Sequence, residues 1–410
     1  MPQARADFAI DIARVRADTP ACEQVLHFNN AGAALPPQRV VDAVIAHILR
    51  EAQIGGYEAE AEAAQAIEGA YDAVAALLNC ARDEIALVEN ATRAWDMAFY
   101  AFAARLRPGD RILTAETEYA SNFLAFLQVA GARGVRVETL PSRPDGSVDV
   151  QRACAMLDER VRLVALTHVP TNGGIVQPAA AIGRVTRERG IAFLLDACQS
   201  IGQFPIDVQE IGCDMLSATG RKYLRGPRGT GFLYVRREWI ERLEPPFIDL
   251  HAATWLAPDR YRVRSDARRF ENWESHVAGR VGLGVAVRYA LDVGLAAIEH
   301  RVTGLADRLR EGLSVIPGVV VHDLGAPGSR CGIVSFTRDH ETACGVRDRL
   351  RSLGINVSVS GASSTLLDMR RRGLAEVVRA SVHYYNTETE IERFCAALRD
   401  DARRPRATGA

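Results

Sequence analysis

Between residues 85 and 235 the chain repeats one pattern, a short apolar run followed by a stretch with helical spacing. The runs are 85–88, 111–114, 135–140, 163–168, 191–196, 214–218 and 231–235, with helical spacing over 94–104, 122–130 and 178–189 between some of them. A strand that alternates apolar and polar residues can leave one face in water, whereas one that is apolar throughout must be covered on both. Ile191-Ala192-Phe193-Leu194-Leu195 is such a run, and it closes on a single acid, Asp196. Apolar strands alternating with helices predict an α/β fold, a mostly parallel sheet with helices on both faces. In that architecture ligands bind beyond the carboxyl ends of the strands.

The texture changes after about residue 265. A long helix from about Val281 to Ala306, and another to about Ile316, lead to strand patterns at 319–322, 332–337, 357–360 and 377–383, with helices near 342–353 and 387–400. This reads as a smaller α+β unit. Residues 1–25 read as a helical arm, and Gly55-Gly56-Tyr57 breaks a helix that starts at Gln38. The expected organisation is a large domain over 26–265 and a small domain formed by 1–25 with 266–410.

Composition narrows the function classes. The formal net charge is −1, so no global field recruits nucleic acid or an anionic membrane, and only the tail from Arg403 is locally basic, as a frayed terminus. No apolar run approaches the ~20 residues that span a bilayer, and the N-terminal stretch, interrupted by Asp7 and Asp11, does not read as a signal peptide. The eight cysteines form no Cys-x-x-Cys pair and the nine histidines show no metal-ligand spacing. They read as reduced core residues of a cytoplasmic enzyme without a metal.

Lys222 is the only lysine; every other one of the 50 basic residues is arginine. Arginine can serve wherever a cation is enough, but its guanidinium stays protonated, so an amine that attacks a carbonyl must be lysine. Lys222 is therefore a candidate Schiff-base residue, the alternative being a leftover surface lysine. Residues that close nearby strands suit pyridoxal 5'-phosphate. Asp196 ends a wholly apolar strand, where its charge needs a cation such as a protonated pyridine nitrogen; it could equally cap the next helix. Gln199 could donate to the cofactor's phenolate oxygen. Asn90-Ala91-Thr92 opens a helix, a place for a phosphate or an ordinary cap. Thr219 and Arg221 flank the lysine and can supply a hydroxyl and a charge to that phosphate. Tyr119 could stack on the ring or belong to the core.

The stretches Leu195-Asp196-Ala197-Cys198-Gln199, Thr219-Gly220-Arg221-Lys222-Tyr223-Leu224-Arg225-Gly226-Pro227 and Arg379-Ala380-Ser381-Val382-His383-Tyr384-Tyr385-Asn386-Thr387 resemble the class V aminotransferases of fold type I. That group includes cysteine desulfurases, isopenicillin N epimerase-like proteins and ergothioneine-type C–S lyases. The resemblance implies a seven-stranded-type large sheet, a homodimer with active sites at the subunit interface, and pyridoxal phosphate on Lys222. It assigns Asp196 to the pyridine nitrogen, Gln199 to the phenolic oxygen, and Ala91, Thr92, Thr219, Arg221 and Asn172 to cofactor contacts. Arg379 takes the place of the arginine that grips the substrate α-carboxylate. Asn30, Tyr57, His251, Trp255 and Trp273 are expected in the pocket walls.

Cysteine desulfurases of this group carry a loop cysteine that takes the sulfur as a persulfide, where this chain reads Ser360-Gly361-Ala362-Ser363-Ser364-Thr365. The expected activity is therefore a β-eliminating C–S lyase on a cysteine-derived amino acid. An aminotransferase or epimerase is the alternative, and a desulfurase or a non-catalytic protein of this fold is placed behind both. The segment Arg269-Phe270-Glu271-Asn272-Trp273-Glu274 stands where relatives carry a Gly-Thr-rich loop that reaches the neighbouring subunit's phosphate.

Overall fold

The computed structural model describes residues 9–400; the basic tail from Arg403 lies outside them. A seven-stranded sheet forms its centre: β1 (Ile85–Val88), β2 (Arg111–Thr114), β3 (Arg136–Thr139), β4 (Val161–Thr167), β5 (Ala192–Asp196), β6 (Met215–Thr219) and β7 (Gly231–Val235). Their spatial order is β1-β7-β6-β5-β4-β2-β3, and only β7 runs against its neighbours. This is the expected mostly parallel α/β sheet.

The continuous apolar runs have a direct cause: alternate residues of each strand feed two separate cores. Phe193 and Leu195 of β5, Val164 and Leu166 of β4 and Phe232 and Tyr234 of β7 pack into one. Ala192 and Leu194, Leu163 and Ala165, and Leu233 and Val235 pack into the other. Among the helices, α1 spans Gln38–Ile54, α2 Ala64–Leu78, α3 Ala91–Ala103, α4 Ala120–Arg133 and α5 Ala179–Glu188. Helices α3 and α4 cover the second core, where Phe126 meets Trp95 and Phe99 edge-on at ring distances of 5.8 and 5.2 Å. Helices α2 and α5 lie on the first.

The long helix expected over 281–306 is two helices, α6 (Val277–Val293) and α7 (Leu295–Ser314). They part at Gly294, whose φ of 91° few other residues adopt. Beyond them, β8 (Val319–Val321), β9 (Ile333–Arg338), β10 (Ser358–Gly361) and β11 (Glu376–Ser381) form an antiparallel sheet in the order β8-β9-β11-β10. The N-terminal segment belongs to this second sheet's neighbourhood: Leu26–His27 pairs with Ile355–Asn356, and Asn29 bridges to Ser381. Tyr57, read as part of a helix break, lies in the short helix Gly56–Glu62, the break itself falling at Gly55.

Candidate active site

The carboxyl ends of β2, β4, β5 and β6 converge with the start of α3 on a cavity of about 390 Å³. Its walls include Asn90, Ala91 and Thr92 from the β1–α3 turn, Tyr119 and Asn122 from the start of α4, and Thr167, Val169 and Thr171 after β4. Asp196, Cys198 and Gln199 enter from the end of β5, and Thr219, Arg221 and Lys222 from the end of β6. A parallel sheet brings these segments together because each strand delivers its last residue to the same edge.

Lys222 is buried, and its amine pKa is lowered. Burial is the main cause; the charges of Arg221 and Arg379 add to it, and Cys198 opposes them. Asp196 is buried at the other side, its carboxyl pushed up by burial against the pull of its hydrogen bonds. One oxygen accepts from the Cys198 backbone N–H at 2.8 Å and the other from Asn122 Nδ2 at 2.9 Å. Gln199 donates from Nε2 to the Ala31 carbonyl at 3.2 Å, while its Oε1 is buried with no protein partner.

Asn90 caps α3, its side chain accepting from Arg93 N–H at 2.9 Å. The N–H groups of Ala91 and Thr92, in the first turn, have no intrahelical acceptor and belong to the cavity wall. Thr219 donates its hydroxyl to the Thr230 carbonyl at 3.2 Å, and Arg221 donates to the Gly32 carbonyl. Tyr119, 39% exposed, stands at the N-cap of α4 and lines the cavity. Arg379, on β11, lies behind Thr171: its guanidinium donates to the Thr171 side chain and, from Nε, to Ser358 Oγ at 3.1 Å.

Six residues expected at the site are placed elsewhere. Asn172 turns away from the cavity, donating to Thr365 Oγ1 at 3.0 Å, and its neighbour Thr171 takes the wall position instead. Residues 171–173 form a turn after β4, and a step of one residue along it changes which side chain meets the cavity. Asn30 is fully buried between the Ser381 carbonyl and the Tyr385 hydroxyl. His251 faces Glu271 at 3.1 Å, and Tyr57 is 69% exposed. Trp255 and Trp273 are exposed as well. His168, at the end of β4, lines a separate, larger groove with Phe204 and His300, and burial lowers its pKa to about 4. Conversely, Asn122, Thr167, Thr171 and Cys198 line the cavity without having been singled out. The polar residue closing each apolar strand run was the available signal for Thr167.

The profile of the family described as aminotransferase class-V matches residues 26–394. A protein named probable cysteine desulfurase from Xylella fastidiosa is 33% identical, the match covering 95% of each chain. The cysteine desulfurase of Dickeya dadantii is 31% identical over 94% of this chain and 96% of its own. The solved cysteine desulfurase of Thermococcus onnurineus superposes with a TM-score of 0.89 at 27% identity, covering 98% of this chain and 99% of that one. These likenesses overturn the expectation of a C–S lyase that works without a persulfide. That expectation rested on one loop, whereas the likeness to desulfurases extends over nearly the whole chain.

Proposed function

The chain belongs to the class V aminotransferases, and within that family we propose that it is a cysteine desulfurase, removing sulfur from cysteine and leaving alanine. The observation that carries the reading is identity of about one third to desulfurases across 95% of both chains. The 360–365 loop bears on which thiol takes the sulfur as the C–S bond breaks, whereas activating the substrate's α-carbon depends on the amine and carboxylate of the Lys222 cavity.

The cofactor is pyridoxal 5'-phosphate, and the cavity's groups fit it. Asp196 is a buried carboxylate with only neutral partners, suited to a cationic ring nitrogen. The first turn of α3 offers free N–H donors to a phosphate, and Gln199 lines the cavity with its Nε2 donating to the Ala31 carbonyl and its Oε1 without a protein partner. When bound, the cofactor supplies an electron sink for the substrate's α-carbon. Lys222 holds and returns the α-proton at Nζ. Arg379, steadied by Ser358 and Thr171, takes the α-carboxylate, and Tyr119 covers the ring. Residues 26–265 thus carry the cofactor, and 266–410 with the N-terminal arm carry the carboxylate grip.

With no cysteine at 360–365, the sulfur is passed to a thiol outside the loop. Cys198 is a poor acceptor, because burial raises its thiol pKa and keeps the thiolate scarce. A soluble thiol is the acceptor we favour. The exposed Tyr57, Trp255 and Trp273 suit a homodimer whose partner completes the walls. Eight free cysteines and no disulfide suit a reducing, cytoplasmic setting.

The test is incubation of the purified holoenzyme with L-cysteine and a dithiol, which supplies the two electrons and two protons that convert cysteine to alanine and sulfide. Equal amounts of alanine and sulfide are expected, with none from Lys222→Ala. Pyruvate and ammonia in place of alanine would refute the desulfurase reading.

A further inference from the structure

We propose that Glu118 is a positioning residue of this site: through Asn122 it fixes Asp196, and through the Tyr119 backbone it fixes the ring over the cavity. The proposal rests on pyridoxal phosphate occupying the Lys222 cavity. Glu118 lies in the turn between β2 and α4 and is 3% exposed. Five donors meet its carboxylate. Oε1 accepts from Tyr119 N at 2.9 Å, from Asn122 Nδ2 at 2.9 Å and from the Thr167 hydroxyl. Oε2 accepts from the Thr114 hydroxyl at 2.7 Å and from Thr167 N at 3.2 Å. Thr114 ends β2 and Thr167 ends β4, so one acid ties two strand ends to the start of α4.

Asn122 is the link. Its Nδ2 donates to Glu118 Oε1 and to Asp196 Oδ2, both at 2.9 Å, so its two N–H bonds are divided between two carboxylates. Turning that amide over would set its carbonyl oxygen against an acid, which Glu118 makes as unfavourable on its side as Asp196 does on the other. The amide is thereby locked with its nitrogen toward Asp196. That donor and the Cys198 N–H fix the carboxylate plane of Asp196 and leave its remaining lone pairs for the cavity. Burial raises the Glu118 carboxyl pKa and the charge of Asp196 adds to the rise, while the Thr167, Thr114 and Asn122 donors pull against it. A second buried carboxylate one amide behind Asp196 also adds negative potential where a protonated ring nitrogen must sit.

The experiment uses purified full-length apoprotein titrated with pyridoxal phosphate, followed by fluorescence quenching and by the visible absorbance of the bound cofactor. Glu118→Gln keeps the shape but removes the charge and cannot accept all five donors. It is expected to weaken cofactor binding about tenfold, the scale of a lost charge-assisted hydrogen bond, and to shift the absorbance maximum. Asn122→Ala is expected to do the same, and the double variant to bind within about twofold of the weaker single, because both act along one path. Additive losses, or a falling apoprotein Tm with unchanged affinity and spectrum, would overturn the proposal and leave Glu118 a structural residue. Should Glu118→Gln fail to fold, Asn122→Ala alone decides, since wild-type affinity in that variant breaks the link. Wild-type protein that does not bind the cofactor at all would instead overturn the cofactor reading.

Discussion

An ordinary lysine amine titrates near 10.4, so at neutral pH only about one in a thousand is free to attack a carbonyl. Lys222 is displaced from that value in the useful direction: burial disfavours the ammonium, and the charges of Arg221 and Arg379 add to it. A lowered pKa means that the neutral amine is populated at lower pH. The apoprotein should therefore react with pyridoxal phosphate with a pH midpoint below that of a free lysine. Arg379→Ala removes one of the downward pushes, so its midpoint should move up in pH, while KM for cysteine rises through loss of the carboxylate grip. A midpoint that stays put, read from borohydride-trapped adduct against pH, would show that Arg379 does not influence the amine. The residues at this scale were unequally legible. Asp196, Gln199, Thr219 and Arg221 could be read because a strand end fixes which side chains reach the edge of the sheet. Asn30, Tyr57 and His251 could not, since each sits on a segment whose distance to the cavity is set by tertiary packing. Glu118 and Asn122 stand one helical turn apart, an ordinary pair until folding sets Asp196 beside them.

At the scale of elements, the site depends on how tightly the Lys222 loop is held after β6. Gly202 meets that loop closely: its φ is 82°, and a Cβ there would lie 2.6 Å from the carbonyl carbon of Tyr223. Backbone atoms cannot move aside as a flexible side chain can. Gly202→Ala should thus combine a strained conformation with a push on the residue following Lys222. We expect a loss of about 2–4 kcal/mol in stability, seen as a lower denaturant midpoint, together with slower adduct formation at Lys222. Wild-type stability would mean that the loop yields. Elements were the most legible level of this chain, because strands covered on both faces cannot alternate and so announce themselves as apolar runs. The exception is the α6–α7 break. Gly294 lies inside a helical apolar pattern, and only packing of the two helices in different directions shows that it ends one and starts the other.

Across the whole molecule, the N-terminal arm, the Lys222 loop and the segment that follows β11 meet at Arg225, three residues after Lys222. Arg225 is fully buried, and no carboxylate among the described residues pairs with it. It donates to the Leu35 carbonyl at 2.7 Å, to the Tyr384 hydroxyl at 2.8 Å and to the Thr19 hydroxyl, and lies against the rings of Tyr289, Tyr384 and Tyr385. Its backbone is in the left-handed region at φ 59°, a conformation a side chain of this size adopts only when its surroundings hold it. Burying a guanidinium among neutral acceptors and aromatic faces is costly, and three hydrogen bonds with three ring contacts offset that cost. Arg16 supports the same junction by reaching the Tyr385 carbonyl at 3.0 Å and Glu390 at 2.8 Å. Arg225→Met keeps the volume but removes every donor, leaving the Leu35 carbonyl unpaired. It should cost about 3 kcal/mol in stability and expose the arm before Leu35 to limited proteolysis. Cofactor on Lys222 should then be lost at lower temperature than in the wild type, because the loop bearing the lysine and the arm it grips would loosen together. If the arm stays protease-resistant while global stability falls, the junction stabilises the fold without joining the arm to the site.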